Sequence, residues 1–246
     1  MPFLILSVLL QVAFVIHIVK TGRNTTWIWI VIMLPVAGAI AYLILEILPD
    51  LTNSRAGRTA GRKVTSVINP NKSLNHAAHN FSVSDTVENS MRLADECFSK
   101  GLYEDAKTLY EKCLVGIHSN DPAVMVGLAR AEFMLRHYSN TKSLLDRLIE
   151  NNPEYKNQDA HLLYARTLEA LNDIAAAAHE YEVLHGYFSG PEASFYYGMF
   201  LKSQNQYDLA NRIFNEIISK AKMSSKHYSS LHKEILKRTR DELKRT

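Results

Sequence analysis

An all-α chain is what the sequence predicts: a two-helix transmembrane hairpin, then an α-solenoid of about four helix pairs and a C-terminal capping helix. Three observations carry that expectation. Only Lys20 and Arg23 are charged among the first 45 residues. Small residues at Ala94, Ala129, Ala165 and Gly198 recur at intervals of 35, 36 and 33, each within a helix-length apolar pattern. The 246 residues hold two cysteines, too few for a disulfide scaffold or a four-cysteine metal site to replace a packed core.

Charge is segregated along the chain. Residues 1–86 hold 7 Lys/Arg against 3 Asp/Glu, residues 87–225 hold 14 against 19, and residues 226–246 hold 7 against 3. An acidic middle between basic ends lacks the broad basic face of a nucleic-acid binder, so no nucleic-acid partner is expected.

The stretch Phe3–Val19 is apolar except for Ser7, Gln11 and His17. After a loop containing Lys20 and Arg23, Trp27–Leu45 carries no charged or strongly polar side chain. Each run is long enough, at about 1.5 Å per residue, to be read as a span of the hydrocarbon core. A cleaved signal is disfavoured, because no basic residue precedes Lys20 and Ile16-His17-Ile18-Val19-Lys20 offers no small-residue cleavage site. Two spans place both ends on one side. The loop holds two cations, whereas Arg55, Arg58, Arg62 and Lys63 follow the second run, so the loop is expected outside and the remainder in the cytoplasm. Trp27 and Trp29 are expected as interfacial anchors, with Tyr42 near the opposite interface. Ala37, Gly38, Ala39 and Ala41 would let another helix approach. For Gln11 and His17 the ordinary reading is an interhelical hydrogen bond for one and interface depth for the other.

The order of these features, with Trp27-x-Trp29 and Leu34-Pro35-x-x-Gly38-x-x-x-Tyr42-Leu43, resembles the N-terminal segment of cardiolipin synthases and related phospholipase D-type membrane proteins. The resemblance covers roughly residues 1–50 and implies a bacterial inner-membrane anchor with lipid around it. In that family catalysis belongs to a separate domain with two His-x-Lys-x4-Asp motifs. This sequence contains none, since His232-Lys233 is adjacent rather than spaced. Without the nucleophilic histidine and its lysine, phosphatidyl transfer has no agent.

Residues 51–86 are rich in Ser, Thr, Asn, Gly and Ala, with a turn signal at Asn69-Pro70-Asn71. They read as a flexible or loosely helical linker. His76 and His79 lack neighbouring metal-ligand partners and read as solvated.

From residue 87 to 223 the chain repeats itself. Leu93-Ala94 precedes Gly101-x-Tyr103-x-x-Ala106 and Tyr110; Leu128-Ala129 precedes Tyr138, Thr141 and Leu145; Tyr164-Ala165 precedes Ile174, Ala177 and Tyr181; Tyr197-Gly198 precedes Tyr207, Ala210 and Phe214. A period near 34 built from two amphipathic helices resembles tetratricopeptide-repeat proteins. Small residues let the paired helices approach, the large fourth residue plugs between them, and each pair's exposed apolar face makes stacking obligatory. Thr141 and Ile174 depart from the pattern. Residues 224–246 carry a thin apolar stripe (Tyr228, Leu231, Ile235, Leu236, Leu243), with Lys233, Lys237, Arg238, Arg240, Lys244 and Arg245 elsewhere. This segment reads as a solvating cap for the solenoid; contact with anionic lipid is the sharper alternative.

No enzyme or cofactor motif is present, no cofactor is expected, and Cys97 and Cys113 fall on packing faces as inert thiols. What remains is a binding surface. In tetratricopeptide-repeat proteins the first helix of each pair lines the groove. The resemblance therefore implies a partner face made of Met91, Asp95 and Phe98; Val126, Arg130 and Phe133; Leu162, Arg166 and Glu169; and Phe195, Met199 and Lys202. Aromatics and methionines beside Arg130 and Arg166 suit a protein or peptide ligand carrying acidic groups. A membrane protein is a further partner class. The expected function is a membrane-anchored, non-enzymatic scaffold; the alternative is a non-catalytic accessory to phospholipid synthesis or envelope assembly acting through the membrane segment.

Overall fold

The computed structural model describes residues 2–22, 24–47 and 71–245. The expected linker cations Arg55, Arg58, Arg62 and Lys63 lie outside the described residues. The chain divides into two compact units, Met1–Lys72 and Ser73–Thr246. The described residues of both are helical wherever they form regular structure.

In the first unit α1 runs from Pro2 to Thr21, α2 from Thr26 to Met33 and α3 from Pro35 to Tyr42, followed by a π-helical turn, Leu43–Ile47. The second apolar run is therefore not the single helix expected over Trp27–Leu45. Pro35 causes the break. Its ring disfavours helical geometry in the preceding residue, and Leu34 sits at φ −123°, ψ 77°. Proline then suits the first position of α3, where no amide donor is required. Past the break the chain turns back on itself. The Trp27 and Tyr42 ring centres are 5.5 Å apart, whereas 15 residues of straight helix would separate them by roughly 22 Å. Gly38 permits the reversal, because a Cβ there would lie 2.5 Å from the Ile30 carbonyl oxygen. The small-residue stripe thus accommodates α2.

Ile18, Val31 and Tyr42 form the buried centre of this unit, with Phe14, Trp27 and Ile28 against them. Tyr42, expected at an interface, is buried because α1 and α2 both pack on it. Gln11 and His17 both bridge helices: Gln11 Nε2 donates to Val31 O at 2.9 Å, and His17 Nδ1 pairs with the Tyr42 hydroxyl at 3.0 Å. Among the described residues no helix is long and apolar enough to cross a membrane.

The second unit begins earlier than the repeats. α4 spans Lys72–Val83, inside the stretch read as linker. Leu74 packs against the first repeat, Ala77 is buried, and Ser73 Oγ donates to Glu96 at 2.7 Å. Four antiparallel pairs follow: α5 (Val87–Ser99) with α6 (Tyr103–Cys113), α7 (Pro122–Met134) with α8 (Tyr138–Asn151), α9 (Gln158–Ala170) with α10 (Ile174–Tyr187), and α11 (Glu192–Ser203) with α12 (Tyr207–Met223). Side-chain caps from Thr86, Asp121, Asn157 and Asp173 start four of these helices.

The small residues Ala94, Ala129 and Ala165 are fully buried, as are Ala106, Thr141, Ala177 and Ala210 on the partner helices. Tyr110, Leu145, Tyr181 and Phe214 plug between the pairs at 2% exposure or less. Thr141 is accommodated because its hydroxyl donates to His137 O at 3.1 Å. Each successive pair covers the apolar face of the last, giving a continuous row of three core clusters. The short α13 (Lys226–Leu231) leads into α14 (Lys233–Lys244), whose Ile235, Leu236 and Leu243 join the final cluster. The C-terminal helix therefore caps the solenoid.

Candidate protein-binding face

The twelve expected contact residues lie on α5, α7, α9 and α11, the first helices of the four pairs. Two pairings join successive repeats. The Arg130 guanidinium carbon lies 4.4 Å from the Phe98 ring centre, and that of Arg166 lies 4.7 Å from the Phe133 centre. Arg166 also covers Tyr196 of the following repeat at 4.3 Å. Phe98 and Phe133 are steadied edge-on by Tyr103 and Tyr138, each at 5.3 Å. The result is a ladder in which an arginine of one repeat rests on an aromatic ring of its neighbour.

The expected acidic members are already engaged. Asp95 accepts a 2.6 Å hydrogen bond from the Tyr110 hydroxyl, and Glu169 a 2.5 Å bond from that of Tyr181. Burial first, then the adjacent carboxylate, raises both phenols well above their ordinary values, with Arg130 and Arg166 opposing. These acids hold the plugs between the helices. Among the described residues neither arginine has a carboxylate within ion-pair distance. Their positive charge is thus available at the surface, Arg130 exposed and Arg166 half-buried.

Met91, Val126 and Met199 are partly buried beside the core and keep an accessible edge. Leu162 and Phe195 do not belong to an open face: they are 8% and 1% exposed. Leu162 turns into the interhelical core, and Arg238 lies over Phe195 at 4.6 Å. Lys202 Nζ donates to Glu242 Oε2 at 2.8 Å. Through these two contacts α14 covers much of the fourth first helix, leaving the edges of Tyr196 and Met199, so most of the accessible face belongs to the first three pairs.

Tyr196 and Arg238 are participants the sequence reading missed. A signal for Arg238 existed, because Arg130, Arg166, Lys202 and Arg238 are each 36 residues apart. α14 thus takes the place of a fifth first helix. A cavity of about 560 Å³ was also unforeseen; it lies between α8, α9 and α10, lined by Leu148, Tyr155, His161, Tyr164 and Tyr187. Within it His161 pairs through Nε2 with Glu180 at 2.5 Å and through Nδ1 with Tyr187 at 2.6 Å.

Cys97 and Cys113 are core residues, and burial raises both thiols above their ordinary values, which disfavours the reactive thiolate. Among the described residues no group of three or more His, Cys, Asp or Glu side chains could hold a metal ion.

Residues 9–45 match the family described as phospholipase D-nuclease N-terminal. No curated protein matches the chain. Among solved structures the chain is similar to a thermophilic tetratricopeptide-repeat protein, TTC0263, from Thermus thermophilus. That match has a TM-score of 0.54 and 15% identity, and it covers 72% of this chain and 96% of that one. It is also similar to MamA, residues 41 to the end, from Desulfovibrio magneticus RS-1, with a TM-score of 0.55, 11% identity, and 68% and 94% of the two chains covered. A further MamA structure gives 0.51 at 20% identity over 61% and 87%. At these identities the likeness is one of fold: the second unit is a tetratricopeptide-type solenoid.

Proposed function

We propose that this chain is a membrane-anchored scaffold that holds a partner protein against the first-helix face of its solenoid. The observation that carries the reading is the ladder of Arg130 and Arg166 on Phe98, Phe133 and Tyr196. It offers two uncompensated cations on rigid helices beside partly buried apolar edges. A ligand with acidic groups spaced one repeat apart, separated by apolar side chains, would match it. The anchor is the N-terminal unit, in a bacterial inner membrane, with the solenoid in the cytoplasm. The chain has no catalytic role of its own in this reading, and purified protein should not cleave or transfer phosphatidylglycerol.

A photo-crosslinking residue at Val126 or Met91 in the full-length chain, expressed in its membrane, tests the proposal. One discrete protein adduct is expected, absent when the crosslinker stands at Val183, an exposed position on the second helix α10. Equal adducts from both positions would overturn the assignment of the face.

The match of residues 9–45 favours a second reading, an accessory to phospholipid synthesis or envelope assembly acting through the membrane unit. A lipid or lipid enzyme that copurifies with residues 1–72 alone would support it over the scaffold.

A further inference from the structure

We infer that the second apolar run is a re-entrant hairpin, entering and leaving a lipid bilayer through the same face. The inference rests on the membrane anchoring proposed above and concerns how that anchor is threaded.

The geometry of α2 and α3 carries it. Glu46 Oε1 accepts a 3.0 Å hydrogen bond from Trp27 Nε1. A straight helix would put those residues roughly 28 Å apart, on opposite sides of a membrane. Here the entrance of the hairpin and its exit meet, and the carboxylate stands at the same level as the loop after α1. Each arm is eight residues long, or about 12 Å, which is less than half of a hydrocarbon core of about 30 Å.

A turn inside lipid is tolerated only if its backbone polar groups are satisfied within the protein. This one pairs several of its groups within the protein. Leu34 N donates to Ile30 O at 3.0 Å, Gly38 N to Leu34 O at 2.6 Å, and Pro35 has no donor to satisfy. The break frees carbonyls at the end of α2, and Gln11 Nε2 reaches across from α1 to Val31 O at 2.9 Å and Ile32 O at 3.4 Å. A glutamine in an otherwise apolar run thereby acquires a definite task. Around the turn, Ile32, Met33, Leu34 and Ile40 are 52–74% exposed. A contiguous apolar surface of this kind, at the tip and flanks of a hairpin with a polar mouth, fits the acyl region of one leaflet.

The charge distribution agrees. With a re-entrant hairpin, Lys20 and Arg23 before it and Arg55, Arg58, Arg62 and Lys63 after it fall on one side of the bilayer, whereas a second run that crosses would divide them two against four.

Impermeant maleimide labelling of the full chain in right-side-out and inverted membrane vesicles tests the threading. The parent is the blank, because Cys97 and Cys113 are buried. Thr25→Cys and Ser54→Cys are compared; Thr25 makes no side-chain capping bond, so its loss leaves α2 intact. Both are expected to react in the inverted vesicles and neither in the others. Their reacting in opposite preparations would establish that the second run crosses and overturn the inference while leaving the anchor in place. Release of the parent by alkali would remove both the inference and the anchoring beneath it. Reversal of the two sides would preserve the hairpin and refute only the cytoplasmic placement of the solenoid.

Discussion

The Arg130 guanidinium carbon sits 4.4 Å from the centre of the Phe98 ring, one repeat back along the solenoid. Arg166 repeats the relationship on Phe133 at 4.7 Å. Stacking leaves the edges of a guanidinium free to donate hydrogen bonds in its own plane. The ladder can therefore stiffen the junction between repeats and still pair with a ligand's carboxylates.

Replacing both arginines by glutamate separates the two roles. Losing a charged partner in a desolvated contact costs about 2–5 kcal/mol of binding. Losing three partly exposed cation–π contacts costs about 1.5–3 kcal/mol of stability. Arg130→Glu with Arg166→Glu should thus abolish the Val126 crosslink while circular dichroism shows retained helix and a small fall in melting temperature. Wild-type crosslinking by the double variant would put the ligand elsewhere. Global unfolding would make the ladder structural.

Gly198 marks the tightest approach inside a repeat. A Cβ there would meet the Phe214 ring at 2.4 Å, and Phe214 is itself fully buried. The ring cannot retreat, so Gly198→Ala should destabilise the solenoid by about 1–3 kcal/mol. Gly186→Ala is the contrasting control. Nothing lies within 4 Å of its Cβ position in α10, and helix propensity favours alanine there by about 0.5–1 kcal/mol. Urea unfolding followed by circular dichroism reads both; equal effects would disprove the packing argument.

Much of the solenoid was legible because its rules are local and repeated. Ala94, Ala129, Ala165 and Gly198 announced the close approaches, and Tyr110, Leu145, Tyr181 and Phe214 the plugs. The misjudged elements depend on contacts from outside their own segment. α4 reads as linker because only Leu74, Ala77 and Phe81 suggest a face, and the first repeat completes it. Trp27–Leu45 reads as one span because hydropathy is blind to direction; Pro35 and Gly38 decide that the chain reverses. On the binding face, register placed Phe195 and Lys202 correctly on α11. It could not foresee α14 returning to cover them.

That cover should be sensitive to acid. The Lys202 ammonium bonded to Glu242, followed by Arg245, holds the Glu242 carboxyl below the ordinary glutamate value of 4.5. A carboxyl depressed in the folded state stabilises it above the unfolded value, and that contribution is lost as pH falls through the folded value. The two side chains are 18% and 14% exposed, so partial screening limits the contribution to roughly 1–2 kcal/mol. Below the ordinary glutamate range, α14 should loosen before the repeats unfold. Hydrogen exchange at Ile235–Leu243 should rise, and Glu242→Gln should reproduce the change at neutral pH. Unchanged exchange in that variant would mean that Leu236 packing alone holds the cap. Lys107 has the opposite sign: its hydrogen bond to Glu132 raises it, so its contribution is present at neutral pH and lost as pH rises through the raised value.

The four turns within the pairs share one backbone device, and one of them carries an ill-suited residue. Gly101, Arg136, Asn172 and Asn205 all take left-handed conformations, with φ of 78°, 64°, 61° and 62°. In each turn the next amide reaches back five residues at 2.9 Å: Leu102 to Cys97 O, His137 to Glu132 O, Asp173 to Leu168 O and Gln206 to Leu201 O. This closes the helix end by satisfying carbonyls that would otherwise be left open. Glycine enters the left-handed region without a Cβ penalty and asparagine tolerates it, whereas another residue is disfavoured there by roughly 1–2 kcal/mol. Glycine also gives the unfolded chain more freedom, which offsets part of the gain. Arg136→Gly should therefore stabilise the solenoid by about 0.5–1 kcal/mol, and Arg136→Asn should act in the same direction. Gly101→Arg should destabilise it by a comparable amount. The side chain at 136 is exposed, so little packing is at stake, and urea midpoints of the three variants read the backbone contribution directly. A loss of stability in Arg136→Gly would show that the arginine side chain contributes more to the junction than its backbone conformation costs.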